Sequence, residues 1–213
     1  MLRILILLVL IAGVMTWWKR PFVSRSQPPS DPKILAFGDS LTYGFGTRHP
    51  ETQSYPAQLQ RLTGQPVINA GINGETSGEG LQRIESLLRQ HHPGLVILCL
   101  GGNDILQRRS RQELKANLRR IILRVRSSGA KLLLIAVPDF GLLGLDPLPL
   151  YRELAHEYSL PLEEEILPEV LSQPSLKSDP IHPNARGYRQ MAERIYRKLK
   201  EEGLLQTKRN DAP

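Results

Sequence analysis

The chain has 213 residues, 40% of them hydrophobic, which is enough for one domain with a full core plus a short appendage and too little for two domains. Its single cysteine, Cys99, excludes an intramolecular disulfide, and no Cys and His grouping has metal-ligand spacing, so no metal is expected. The net charge of +7 gathers at Arg108, Arg109, Arg111, Lys115, Arg119, Arg120, Arg124, Arg126 and Lys131, with Glu113 the only acid among them; no aromatic-rich strand accompanies it, so nucleic acid is not expected as a partner.

In chain order, the apolar run from Ile4 to Trp18, closed by Lys19 and Arg20, comes first. It is too uniformly hydrophobic for an amphipathic core helix and reads as a membrane or export segment. The bulky Val14-Met15-Thr16-Trp17-Trp18 stands where a cleavage site needs small side chains, which favours an uncleaved anchor over a removed signal. The run is short beside the roughly 20 residues of an ordinary span, and a helix docked on the domain is the other reading. Flanking charges do not orient it, since Arg3 and the amino terminus nearly balance Lys19, Arg20 and Arg25. Ser24 to Pro32 is a polar linker with nothing to bury. The expected organisation is therefore a hydrophobic segment over 1–20, a linker over 21–32, a folded domain over 33–203 and a polar tail over 204–213.

Within the domain, short apolar runs at Ile34 to Phe37, Val67 to Ile68, Leu95 to Leu100 and Leu132 to Val137 predict strands covered on both faces. Helical periodicities fall between them. Tyr55, Leu59 and Leu62 mark a first helix, and Leu81, Ile84, Leu87 and Leu88 a second, with Thr76 and Glu79 at capping-box spacing. A third carries Leu114, Leu118, Ile121, Ile122 and Val125 on one face, opens on a second capping-box pattern at Ser110 and Glu113, and ends at Gly129. The last carries Tyr188, Met191, Ala192, Ile195, Tyr196 and Leu199. This alternation predicts an α/β domain built on a parallel sheet wrapped by helices. The basic stretch then reads as a solvated helix face, with attraction to anionic lipid headgroups as the second reading. Cys99 reads as a small buried hydrophobe.

Ligands of such a sheet bind beyond the carboxyl ends of the strands, and there the chain places polar, glycine-rich loops: Gly38-Asp39-Ser40-Leu41, Gly71 to Ser77, and Gly101-Gly102-Asn103-Asp104. Ser40 needs a base and a carboxylate to act as a nucleophile near neutral pH. Asp179-Pro180-Ile181-His182 supplies both on one turn, stiffened by Pro180, restricted by Pro183 and followed by Asn184 as a helix cap. Gly74 and Asn103 suit an oxyanion hole, Gly74 through an unobstructed backbone N–H and Asn103 through an amide that is neutral at every pH. Taken singly, Gly74 is an ordinary turn glycine, Asn103 a helix cap and Asp179 with His182 a surface pair; their company with Ser40 changes the reading. Asp39 and Asp104 read as loop-shaping acceptors. Leu142, Leu143 and Leu145 could touch an acyl chain or simply pack the Pro138 to Leu150 loop.

An α/β-hydrolase elbow needs glycine two residues on either side of the serine; Gly38 meets that rule and Thr42 does not. What these residues resemble is the GDSL or SGNH hydrolase family, in four blocks: Gly38-Asp39-Ser40-Leu41, Gly74 in Gly71 to Ser77, Gly101-Gly102-Asn103-Asp104, and Asp179-Pro180-Ile181-His182-Pro183. The stretch Asn69 to Ser77 looks most like the bacterial multifunctional esterase group, with thioesterase I, lysophospholipase and arylesterase activities. The resemblance implies a flavodoxin-like three-layer α/β/α sandwich and a serine esterase of lipids and small acyl esters or thioesters, with no cofactor. It implies Ser40 as nucleophile, His182 as base and acid, Asp179 as its orienting partner, and the Ser40 and Gly74 amides with the Asn103 side chain as oxyanion hole. It also implies a cell-envelope location, anchored in the inner membrane facing the periplasm or exported. A carbohydrate O-acetylesterase and a catalytically silent lipid- or glycan-binding module are the rival readings.

Overall fold

The computed structural model describes residues 33–140 and 145–205. Five strands form one parallel sheet: β1 (Ile34–Gly38), β2 (Val67–Gly71), β3 (Leu95–Cys99), β4 (Lys131–Ile135) and β5 (Leu162–Glu163), in the order β2-β1-β3-β4-β5. Both β1 and β3 are buried along their whole length, as uninterrupted apolar strands in a two-sided sheet should be. In contrast, β2 is only partly covered, because it is an edge strand and pairs with β1 alone.

The helices are α1 (Ser40–Tyr43), α2 (Pro50–Gln53), α3 (Tyr55–Thr63), α4 (Ser77–His91), α5 (Gly102–Leu106), α6 (Arg111–Ser127), α7 (Pro149–Tyr158), α8 (Ile166–Ser172) and α9 (Ala185–Glu201). One layer packs α4 against α6 and α6 against α7; the other packs α3 against α9 and α9 against α8. The periodic residues of the sequence do bury: Tyr55, Leu59 and Ile84 are inaccessible, as are Leu118, Ile121, Ile122 and Val125 on α6 and Tyr188, Met191, Ala192 and Ile195 on α9. Each such side chain contributes on the order of 2 kcal/mol. Leu62 is the exception and remains exposed.

The capping expectations divide. Thr76 and Glu79 form the reciprocal box at the start of α4, whereas at α6 only half of it is made: Ser110 accepts from the Glu113 amide, and its hydroxyl donates to Gln112 in place of a returning Glu113 contact. The basic stretch is also less bare than its sequence. Arg111 meets Asp139, Lys115 meets Glu153 and Arg119 meets Glu157, the last two acids lying on α7, an element that carries no clear signal in the sequence.

The strand order reverses at β1, which has β2 on one side and β3 on the other. At such a switch point the loops leaving two neighbouring strands part toward opposite layers and open a crevice beyond the carboxyl ends. Ser40 follows β1 directly, and Gly101 to Asp104 follow β3. Gly38 lets the two strands converge there: a Cβ on it would lie 2.0 Å from the Cys99 carbonyl oxygen and 2.3 Å from Thr42 Oγ1.

Candidate active site

Asp39 caps α1, its carboxylate accepting from the Leu41 amide at 3.0 Å, and this fixes Ser40 at the first turn just past the sheet. On the far side of the crevice the Asp179 to His182 turn is knotted by its own carboxylate. Asp179 Oδ1 accepts from the amides of Ile181 and His182 at 2.9 Å each, and Asn184 caps α9 by accepting from Arg186 and Gly187. The two segments meet through side chains: Ser40 Oγ lies 2.9 Å from His182 Nε2, and His182 Nδ1 lies 2.8 Å from Asp179 Oδ2. A carboxylate can only accept, so the proton sits on Nδ1 and Nε2 is left with a lone pair for the Ser40 hydroxyl. Burial works to raise the Asp179 pKa, but the two amides and the imidazole outweigh it and hold the carboxyl below its ordinary value.

Two aromatic residues that the sequence did not bring into the site complete this arm. The Phe45 ring lies 4.6 Å from the His182 ring and tilted to it by 49°, covering one face of the imidazole. Tyr188, counted in the sequence only as a core residue, donates from its hydroxyl to the Phe45 carbonyl at 2.8 Å. The side chain holding the cover over His182 thus comes from α9, the helix that follows it. The signal available was Gly44, the left-handed cap that turns the chain after α1 and sets Phe45 facing back.

The expected oxyanion donors arrange themselves less simply. Gly74 has φ +78°, a conformation that suits glycine, with open space where a side chain would stand. Neither its amide nor that of Ser40 donates to a protein acceptor among the described residues. Asn103 Nδ2 donates to the Glu75 carbonyl at 2.9 Å, and its second contact, to Asp39 Oδ2, is long at 3.5 Å. Asn103 therefore ties the Gly74 turn to α5 with one hydrogen and keeps the other only weakly engaged.

That turn is anchored from below by a buried ion pair absent from the sequence reading. Glu75 bonds Arg83, whose Nη2 also donates to the Ala70 carbonyl at 2.8 Å and to the Gly38 carbonyl at 3.3 Å, while its guanidinium stacks 4.3 Å from the centre of the Phe37 ring. Asp104 is also structural, accepting from the Ser77 amide and hydroxyl at 2.7 Å each, with Asn117 donating to the same hydroxyl. Both Asp39 and Asp104 thus shape loops, as their sequence positions suggested. Leu145 is half-buried; Leu142 and Leu143 lie outside the described residues.

A serine hydroxyl, an imidazole and a carboxylate in series, facing backbone amides with no protein partner, can transfer an acyl group. The comparisons with known proteins agree: residues 36–190 match the GDSL-like lipase/acylhydrolase family. The chain belongs to that family. The protein of Escherichia coli K12 named thioesterase 1/protease 1/lysophospholipase L1 is 35% identical over 158 residues, 71% of this chain and 75% of its own. The arylesterase of Vibrio mimicus is 32% identical over 177 residues, covering 78% of this chain and 88% of its own. Among solved structures, AlinE4, an SGNH-hydrolase family esterase, matches with a TM-score of 0.60 and 32% identity over 81% of this chain and 96% of its own. As a member of this esterase family, the chain is a serine hydrolase of ester bonds, and its five-stranded parallel sheet is the SGNH hydrolase fold.

Proposed function

We propose that Ser40 is the nucleophile, His182 the general base and acid, and Asp179 the group that holds the imidazole tautomer. The observation that carries this is the unbroken chain of contacts from Ser40 Oγ through His182 to Asp179, at 2.9 and 2.8 Å. In the first half-reaction Ser40 Oγ attacks the carbonyl carbon as its proton passes to His182 Nε2. The C–O or C–S bond then breaks, and the leaving alkoxide or thiolate takes that proton. In the second, water attacks the acyl-Ser40 carbonyl, His182 takes and returns one proton, and the acid leaves. The free amides of Ser40 and Gly74, with the weakly engaged hydrogen of Asn103, are the donors for the oxyanion that develops in both halves.

Substrates are carboxylic esters or thioesters of lipids and small acyl compounds. This reading is supported by the names of the relatives, which span thioesterase, lysophospholipase and arylesterase, and by exposed Tyr43, Phe45, Ile72 and Leu106 on the elements around Ser40. Leu145 is a further candidate for acyl contact. Among the described residues no helix is long and apolar enough to cross a membrane. The Ile4 to Trp18 run lies outside them, and its composition supports export to the cell envelope with retention as an anchor. The mass of the mature amino terminus tests this, and loss of residues 1–20 would exclude the anchor.

The catalytic assignment is tested with a fluorophosphonate probe, which labels activated serines covalently. Wild-type protein should label and Ser40→Ala should not, with kcat on an aryl ester falling by roughly 10⁶, as when a serine hydrolase loses its nucleophile. Labelling that persists in Ser40→Ala would overturn the assignment.

A further inference from the structure

Beside the crevice, where α5 ends and α6 begins, lies a second cavity of about 680 Å³. Its floor is apolar, formed by Ile105, Leu106, Leu114 and Phe140, and its rim carries Arg108, Arg109 and Arg111 with Asp104 and Asp139. The acids cancel the rim only in part. Asp139 pairs with Arg111 at 2.5 Å, and Asp104 is buried with both carboxylate oxygens turned to Ser77. Arg109 Nε donates to Gln107, a neutral group, and the Arg108 guanidinium has no partner among the described residues. Arg109 also acts on the Glu79 carboxylate at the start of α4, so Arg108 is the cation that borders this cavity of ligand size with no carboxylate partner among the described residues, and Arg109 stands beside it.

The backbone at Arg108 makes this placement notable. After α5 the chain closes in a Schellman turn: the Arg108 amide donates to the Ile105 carbonyl at 2.9 Å and the Arg109 amide to the Asp104 carbonyl at 2.8 Å. Glycine is the usual occupant of the left-handed position in that turn, yet Arg108 holds it at φ +55°. A residue that serves the turn poorly carries a free guanidinium to the cavity rim, and a strained conformation of this kind is a pointer toward function.

Building on the esterase reading above, we propose that this cavity is a subsite for an anionic group of the substrate, phosphate or carboxylate, bound by Arg108 and Arg109 while Leu106 and Phe140 take the adjoining carbon chain. Position limits its reach. Arg108 follows Asn103 by five residues along α5 and its cap, a rise on the order of 8 Å. The anion therefore sits a short arm away from the scissile carbonyl, the length of a glycerol unit or a short diacid and far less than the pantetheine arm of coenzyme A. Planar guanidinium pairs bind the oxygens of phosphate or carboxylate in matched fashion, which a neutral ester cannot exploit.

The test compares kcat/KM in matched pairs at low ionic strength, where exposed charges are least screened. One pair is 1-acylglycerol 3-phosphate against 1-acylglycerol of the same chain; the other is the 4-nitrophenyl monoester of adipic acid against 4-nitrophenyl hexanoate. Preference in the first pair places the anion on the leaving arm, and preference in the second places it on the acyl arm. In either case the charged-to-neutral ratio should fall about tenfold in the Arg108→Gly, Arg109→Gln double variant and hold in Arg120→Gln, an exposed charge on α6 away from the cavity. The glycine at position 108 suits the turn, so the double variant keeps the fold. Calorimetric titration with glycerol 3-phosphate gives a reading independent of turnover, with affinity expected to drop about tenfold in the double variant. Ratios and affinity unchanged by the double variant would overturn the subsite; absence of turnover on every ester, with glycerol 3-phosphate binding still lost in the variant, would overturn the esterase reading and leave the subsite standing.

Discussion

Asp39 and Asp179 stand at the two ends of the Ser40 to His182 hydrogen bond, and their surroundings drive them in opposite directions. Asp39 is fully buried and accepts from the Leu41 backbone amide and, at the long distance of 3.5 Å, from Asn103, with Glu75 and Asp104 near enough to repel it; burial above all pushes its pKa up to about 7. Asp179 is one-third exposed and gathers two amides and the imidazole, which overcome the cost of burial and keep it ionised. The two carboxylates therefore differ first because Asp39 is fully buried and Asp179 is not, and second because more N–H donors are aimed at Asp179. Asp179 supplies a charge that an imidazolium can lean on, and Asp39 supplies mainly an acceptor that shapes a turn.

The largest break in that comparison comes from Asp179→Asn, which keeps the shape and removes the charge. Its kcat should fall by about 10⁴, as in other serine hydrolases that lose this carboxylate; a fall of less than about tenfold would place Asp179 with Asp39 as a loop former. Next is Asn103→Ala, between the two, where kcat should drop by roughly 10²–10³ with a smaller change in KM. A change confined to KM would mean that Asn103 serves only to tether the Glu75 carbonyl. The smallest effect belongs to Asp39→Asn and is read in stability. The folded pKa of Asp39 lies above its ordinary 3.8, so between about pH 4 and pH 7 the folded state retains a proton that the unfolded state has lost. The contribution of Asp39 to stability must then decline as pH rises through that window. Chemical denaturation across it should show wild type losing stability relative to Asp39→Asn; parallel curves would mean that Asp39 is ionised in the fold.

Much of this was readable in advance because the determinants are local. Buried strands announced themselves as apolar runs, helices as periodic faces, and Ser40, Gly74, Asn103, Asp179 and His182 as short motifs whose geometry depends on turns a few residues long. What escaped depends on distant partners. Strand β5 is two residues, Leu162 and Glu163, and one of them is a buried acid that the fold admits only because Arg194 and two amides meet it. Arg83 looks like any helix surface residue until Glu75, Phe37 and two carbonyls converge on it. The basic stretch showed a count of charges and not their fates, since Asp139, Glu153 and Glu157 reach Arg111, Lys115 and Arg119 from elsewhere in the chain, while Arg108 meets no carboxylate among the described residues.

The join between α9 and the Ser40 loop carries a consequence for synthesis. Ser40 is made early, but His182 follows 142 residues later. The Tyr188 hydroxyl that holds Phe45 over His182 comes later still. A nascent or truncated chain that ends before the Asp179 to His182 turn has no imidazole to set against Ser40. The contact between Ser40 and His182 thus joins an early segment of the chain to a late one, and it forms only once the turn before α9 has been made.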